Sequence, residues 1–438
     1  MPQHAQHAQH AQHAQHVHHA QHARTRRTRH GAAALAALLL GATACTAEEH
    51  TPPTEPGAAK PASPRPGSPK TSASKSAGPK SAGPRTGASA AGGAARQRGF
   101  TLAASGDVLP HDSIIRQAAA DAGGDGYDFS KILGGVEPVV SKADLALCHM
   151  ETVYGADGDY SGYPAFKSPP EIARALADTG YDGCSTASNH TLDAGADGID
   201  RTLGALDKAG VKHAGSARTE KEARTPTLLS VGGAKVAHIA ATYGTNGYPL
   251  PEGRPWAVNM LDKDKVIAQA RAARKAGADV VVFSPHWGTE WQDEPDAEQL
   301  RLAKELTASR TGGRPDIDLI IGTHAHVPQA YEKVNGTWVV YGMGDHVAGA
   351  MINHDGAEDD RGNQSTIGRF TFVPPKKPGG RWEVSRAEFV PLFFDTDAGR
   401  SVLLDEAAKR GEYEEVRDRV HRVVLSRGAA KQGLVAAK

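Results

Sequence analysis

The sequence predicts an α/β fold, and three observations carry the prediction. Beyond residue 99, short apolar runs bounded by glycine, proline or polar residues alternate with stretches whose apolar residues recur at helical spacing. Strands that alternate with helices pack into α/β layers. Five of the apolar runs also end in clusters drawn from Asp, Glu, Asn and His, and in an open α/β sheet the carboxyl ends of the strands converge on one crevice.

The apolar runs are FTLAA (100–104), ADLALC (143–148), DGCSTA (182–187), KVAHIAAT (235–242), DVVVFS (279–284), DLIIGT (318–323) and WVVYG (338–342). Their near-continuous apolar character predicts strands buried on both faces. Helices are predicted over 113–122, 170–178, 197–209, 263–276 and 296–309; in the third, Ile199, Leu203 and Leu206 share one face. Residues 401–426 mix apolar and charged positions at helical spacing, which predicts one or two helices within a tail over 398–438.

The first hundred residues read differently. Residues 3–16 repeat Gln-His-Ala, and nine of the 21 histidines precede residue 31, so the globular part is not His-rich. Arg24, Arg26, Arg27 and Arg29 precede a small-residue and leucine run over 31–44, too short for a bilayer anchor, and Cys45 follows Ala42-Thr43-Ala44. Residues 1–45 thus read as a signal peptide with a His-rich extension and a lipobox-like end. The expected location is extracytoplasmic: lipid-anchored through Cys45 to the outer face of the membrane, or secreted after ordinary cleavage at Ala44. Residues 46–98, rich in Pro, Ser, Ala, Gly and Lys, bury too little to offset the entropy of ordering and read as a disordered linker to a folded domain over 99–397. The 50 basic residues balance the 50 acidic ones, which excludes a basic nucleic-acid footprint. Beyond Cys45 only Cys148 and Cys184 remain, each inside an apolar run; they are expected to be buried free thiols.

The strand ends carry the chemistry. FTLAA leads to Ser105-Gly106-Asp107, ADLALC to His149-Met150-Glu151, and DGCSTA to Asn189-His190. DVVVFSP leads to His286-Trp287-Gly288, and DLIIG to Thr323-His324-Ala325-His326. One such end is ordinary, since a Gly-Asp is usually a turn and an Asn-His pair can be a solvated one; five together point to a site. Carboxylates, an amide oxygen and imidazoles without thiolates suit Mn, Fe or Zn. Two such ions sharing a carboxylate would stabilise both oxygens of a phosphoryl transfer. Asp193 follows His190 by three residues, so in a tight turn its carboxylate can reach the imidazole. That makes His190 a candidate general acid and Asp193 its orienter rather than ligands.

GDVL (106–109), METV (150–153), SNHTLDAG (188–195), HWGTE (286–290), GTHAH (322–326) and YGMGD (341–345) together resemble, in order and style, the CapA family associated with poly-γ-glutamate capsule synthesis. The resemblance covers residues 100–394 and implies a calcineurin-like metallophosphoesterase fold, a four-layered α/β sandwich. It implies that Asp107, Glu151, Asn189, His286, His324 and His326 hold a centre of two divalent ions, with His190 beside it as the acid. Two departures stand out. His149-Met150-Glu151 replaces Asn-Leu-Glu, so His149 either adds a ligand or packs. Gly344-Asp345-His346 replaces Gly-Asn-Phe, putting a charge where the family has an amide. Two functions are compatible with these residues. One is a metal-dependent phosphoesterase acting on a cell-envelope phosphoester or polymer, with capsule synthesis proteins as partners. The other is a non-catalytic envelope component that binds or tethers poly-γ-glutamate. Substrate choice is expected in the loops 154–167 and 244–255.

Overall fold

The structure is a computed structural model that describes residues 98–377 and 380–437. The expected signal peptide, its Cys45 and the linker up to residue 97 lie outside the described residues.

Strands are numbered along the chain. The first are β1 (Phe100–Val108), β2 (Leu145–Met150), β3 (Val153–Tyr154), β4 (Lys167–Ser168), β5 (Gly183–Ser185) and β6 (Lys212–Ala214). Next come β7 (Thr227–Val231), β8 (Ala234–Thr242), β9 (Val280–His286), β10 (Arg310–Thr311), β11 (Arg314–Pro315), β12 (Leu319–Ile321), β13 (Tyr331–Val334) and β14 (Thr337–Val340). The last are β15 (Asp345–Val347), β16 (Gln364–Val373), β17 (Glu383–Asp395), β18 (Arg400–Leu403) and β19 (Leu434–Ala436). The first large sheet runs β18-β17-β16-β1-β2-β5-β6, with β15 on β1 and β19 on β17; the second runs β13-β14-β12-β9-β8-β7, and β3-β4 and β10-β11 form two small two-stranded sheets. Each large sheet has a parallel centre, β1-β2-β5-β6 in the first and β8-β9-β12-β14 in the second.

Side-chain alternation along these strands divides the core into layers. Leu102 and Ala104 of β1, Leu145 and Leu147 of β2, Val280 and Val282 of β9, and Leu319 and Ile321 of β12 share one buried cluster between the sheets. Ala103 and Ala146, one residue out of step, pack instead with Ile114 and Ala118 of α1 (Asp112–Ala122), Ile172 and Leu176 of α2 (Glu171–Thr179), and Leu203 and Leu206 of α3 (Gly195–Ala209). On the far side, Val281, Phe283 and Ile320 pack with Val266 and Ala270 of α4 (Lys263–Lys275) and with Leu302 and Leu306 of α5 (Ala297–Ala308). The order helix, sheet, sheet, helix is the four-layered α/β sandwich that the resemblance implies. The start of α5 shows how locally its bounds are written: Asp296 Oδ1 accepts from Gln299 N (2.8 Å) while Gln299 Oε1 accepts from Asp296 N (2.9 Å), a capping box.

Every predicted strand and helix overlaps an observed one. The antiparallel half of the first sheet was not predicted. Gly368 in β16 and Pro391 in β17 interrupt the apolar runs, which weakens a strand signal. Within the tail, α6 (Leu404–Ala408) and α7 (Glu414–Leu425) form, and β18 and β19 also join β17.

One expectation is corrected. Cys148 and Cys184 are buried, but they form a disulfide rather than free thiols. The reason is register: β2 and β5 are parallel neighbours with Cys148 opposite Cys184 and 4.4 Å between their Cα atoms, within the range a disulfide spans. A spacing of 36 residues does not reveal that pairing.

Candidate metal centre

The parallel strands of the two sheets end at a common crevice, and the ends bring the predicted side chains together. Asp107, near the end of β1, lies opposite His149 of β2 and Asp345 of β15, all three essentially buried. Gly106 makes this approach possible: a Cβ there would fall 1.8 Å from Gly344 O, whereas the glycine lets Asp107 N donate to Gly344 O at 3.0 Å. From the second sheet come His286, the last residue of β9, and the turn after β12. In that turn His324 and His326 take φ values of +94° and +58°, a left-handed backbone that non-glycine residues adopt at a cost of order 1–3 kcal/mol and that concentrates at functional sites. His324 N donates to Asp107 Oδ2 (3.1 Å), joining the two sheets. The loop after β5 is tied in through Ser188, whose hydroxyl donates to Glu151 O (2.5 Å) and accepts from His190 N (3.0 Å).

The structure gathers all six predicted ligands. His286 Nε2 lies 2.9 Å from Asn189 Oδ1 and 3.6 Å from Glu151 Oε1, while its Nδ1 pairs with Thr323 Oγ1 at 3.0 Å. His326 Nδ1 meets Asp345 Oδ1 at 2.9 Å. Among the described residues, three groups place donor atoms within 4.8 Å of one another: Asp107, His149 and His286; Asp107, Glu151, His326 and Asp345; and Glu290, His324 and His326. Asp107 belongs to two of them, the position of a shared carboxylate. His149 and Asp345, the two departures from the family pattern, both face the site. Glu290 was missed although it stands inside the quoted HWGTE motif. Its signal was the carboxylate itself, on a turn bonded to the histidine loop through Trp287 N to Thr323 O (3.1 Å) and Trp291 N to Ala325 O (2.8 Å).

His190 and Asp193 sit beside these groups and within none of them. Asp193 Oδ2 lies 2.6 Å from His190 Nδ1 and also accepts from Phe166 N at 2.7 Å. The Phe166 and His190 rings meet in a T-shaped contact, centroids 4.8 Å apart.

The electrostatics test whether these residues fit divalent cations. Both oxygens of Glu151, Oδ1 of Asp107 and Oδ2 of Asp345 are buried without a hydrogen-bond partner, a situation that folded proteins avoid unless something else satisfies the group. Burial and the neighbouring Asp345 push the Asp107 carboxyl up to about 8. Burial and Asp107 raise Glu151 well above the usual carboxylate range, and burial raises Asp345. Burial and neighbouring imidazoles hold His149 down at about 3 and His286 well below its ordinary value. Burial opposes charging of His326 as well, but Asp345 and Glu151 outweigh it and raise that imidazole. Crowded carboxylates beside the His149 and His286 imidazoles, held neutral, form a donor set that cations would relieve, and the set fits divalent metal.

Residues 101–350, more than half of the chain, match the family described as "Bacterial capsule synthesis protein PGA_cap". The chain belongs to this family. Among curated relatives of this PGA_cap chain, the "Capsule biosynthesis protein CapA" of Bacillus anthracis is 28% identical over 180 residues, 40% of this chain and 42% of that protein. The "PGA biosynthesis protein CapA" of Bacillus subtilis is 26% identical over 217 residues, 48% of this chain and 55% of that protein. A "Probable polyglutamine synthesis accessory protein" of Mycobacterium tuberculosis is 28% identical over 218 residues, 47% of this chain and 55% of that protein. The matches span about half the length of these relatives. Among solved structures, a calcineurin-like phosphoesterase of Bacillus subtilis aligns with a TM-score of 0.40 at 16% identity, covering 68% of this chain and 92% of that one. A putative 5'-nucleotidase of Staphylococcus aureus aligns with a TM-score of 0.41 at 17% identity, covering 68% of this chain and 55% of that one.

Proposed function

We propose that this PGA_cap-family protein is a metal-dependent phosphoesterase that cleaves or transfers a phosphoester in the synthesis of poly-γ-glutamate capsule or another cell-envelope polymer. The observation that carries the reading is the set of buried carboxylate oxygens of Asp107, Glu151 and Asp345, unpartnered and facing imidazoles; a scaffold has no physical need of them. Asp107, Glu151, Asn189, His286, His324 and His326 would hold two divalent ions of the Mn, Fe or Zn type, with His149 and Asp345 as further donors. Ions bound there would supply Lewis acidity and neutralise charge on a phosphoryl group. His190 protonates the leaving oxygen through Nε2, since Asp193 occupies Nδ1. Protein purified without chelator is expected to carry two tightly held divalent ions and to hydrolyse an aryl phosphate with Mn²⁺. Ions without turnover on any phosphoester would favour the polymer-binding alternative; no ion at any supplied concentration would overturn both the centre and the enzyme.

The same proposal places the domain outside the cytoplasm, tethered by a lipid on Cys45. The location, though not the tether, draws support from the Cys148–Cys184 bond, because structural disulfides persist in oxidising compartments. Cys45→Ala is expected to release the protein from the membrane fraction, and equal retention of the variant would refute the tether.

A further inference from the structure

The loop after β8 holds a residue that the proposed reaction has not used. Residues 245–248 read Thr-Asn-Gly-Tyr, and Tyr248 N donates to Thr245 O at 2.9 Å while Thr245 Oγ1 donates to Tyr248 O at 2.7 Å. Asn246 and Gly247 have φ values of +49° and +81°. Two successive positive φ angles under such a bond are the signature of a type I′ turn, for which Asn-Gly is the favoured pair. Local sequence therefore explains the turn's shape. It does not explain what the Asn246 side chain does there.

That side chain crosses from the second sheet to the first. Asn189 Nδ2 donates to Asn246 Oδ1 at 3.1 Å, while Asn189 Oδ1 lies 2.9 Å from His286 Nε2. An amide has one oxygen and one nitrogen, and it can ligate a cation only through the oxygen. With its nitrogen held by Asn246, the buried Asn189 turns its oxygen toward His286 Nε2. We infer that Asn246 is a positioning residue: it fixes the rotation of the Asn189 amide so that the oxygen faces the cation site. The inference rests on the ligand role proposed above for Asn189. It also gives the 244–255 loop a physical link to the centre. Tyr248, on the same turn, is exposed.

A bland explanation is that asparagine is present only because it tolerates positive φ. Two substitutions separate the explanations. Asn246→Gly keeps the type I′ turn, since glycine adopts both angles freely, but removes the acceptor. Asn246→Asp keeps an acceptor oxygen and cannot donate, so it can bond only the amide nitrogen of Asn189. Mn²⁺ affinity is measured on the full protein by titration and by the metal-induced shift in melting temperature. The glycine variant is expected to bind Mn²⁺ about 10- to 100-fold more weakly, the range for partners that orient metal ligands, with its metal-free melting temperature unchanged. The aspartate variant is expected to bind at least as tightly as the parent. A glycine variant with parental affinity, or an aspartate variant as weak as glycine, overturns the inference and leaves the proposed centre intact. A parent that takes up no Mn²⁺, or an Asn189→Ala protein that binds like the parent, overturns the ligand reading beneath it.

Discussion

His190→Ala is expected to slow turnover of an alkyl phosphate by about 10² to 10⁴-fold while retaining the parent's metal content. Cations can stabilise the transferring group, but an alkoxide leaving group still needs a proton. The imidazole is set up to deliver one. Its Nδ1 is engaged by Asp193 Oδ2 at 2.6 Å, and that carboxylate is itself fixed by the Phe166 amide at 2.7 Å. The ring is only 6% exposed and meets Phe166 in a T-shaped contact, and with Nδ1 engaged Nε2 is the nitrogen left to face the substrate. Three outcomes test the assignment. The loss should shrink for an activated aryl leaving group that departs without a proton. Asp193→Asn should cost less, about 10 to 100-fold, as an orienting partner. Metal content should be unchanged in both variants; loss of an ion from His190→Ala would make His190 a ligand and move the acid elsewhere.

The parts of this centre that were legible from the sequence are those that local order fixes. A parallel strand ends within a few residues of the end of its apolar run, so Asp107, Glu151, Asn189, His286, His324 and His326 could be placed at one crevice from their positions after the runs. The His190–Asp193 pair needed only a tight turn, and the distance of 2.6 Å follows from it. What was not legible depends on pairings distant in the chain. Asp345 faces the site because β15 returns alongside β1 and sets Asp345 opposite Asp107, a register that no local pattern encodes. Cys148 and Cys184 meet for the same reason across β2 and β5. Glu290 reaches His324, 3.9 Å away, only because its turn is bonded to the loop after β12. The antiparallel strands β16 and β17 were obscured by Gly368 and Pro391, which a flanking sheet tolerates and a sequence reading penalises.

Asp107→Asn is expected to abolish Mn²⁺ binding and turnover, and at the same time to make the metal-free protein more stable above pH 6.5. The sign follows from the direction of the shifts. Asp107 has its carboxyl raised from 3.8 to about 8 by burial and Asp345, so the folded state holds a proton that the unfolded chain releases. Stability tied to that proton is fully present below 3.8 and is lost as pH rises through about 8, at about 1.4 kcal/mol per pH unit in between. Glu151, Asp345 and His326, all raised, act in the same direction. His149 and His286 are held low, and above their ordinary value of 6.5 they are neutral in both states and add no slope. The window from pH 6.5 to 8 therefore reports the raised groups. Asparagine has nearly the shape of the protonated carboxyl and no proton to lose, so the variant should melt higher than the metal-free parent at pH 8 and show a shallower decline across the window. With Mn²⁺ the order reverses: the parent gains stability because cations bind the ionised carboxylates of the folded state only, and the variant gains none. A metal-free variant that melts at or below the parent at pH 8 would mean that Asp107 is not strained by its neighbours. A variant that still responds to Mn²⁺ would remove Asp107 from the centre.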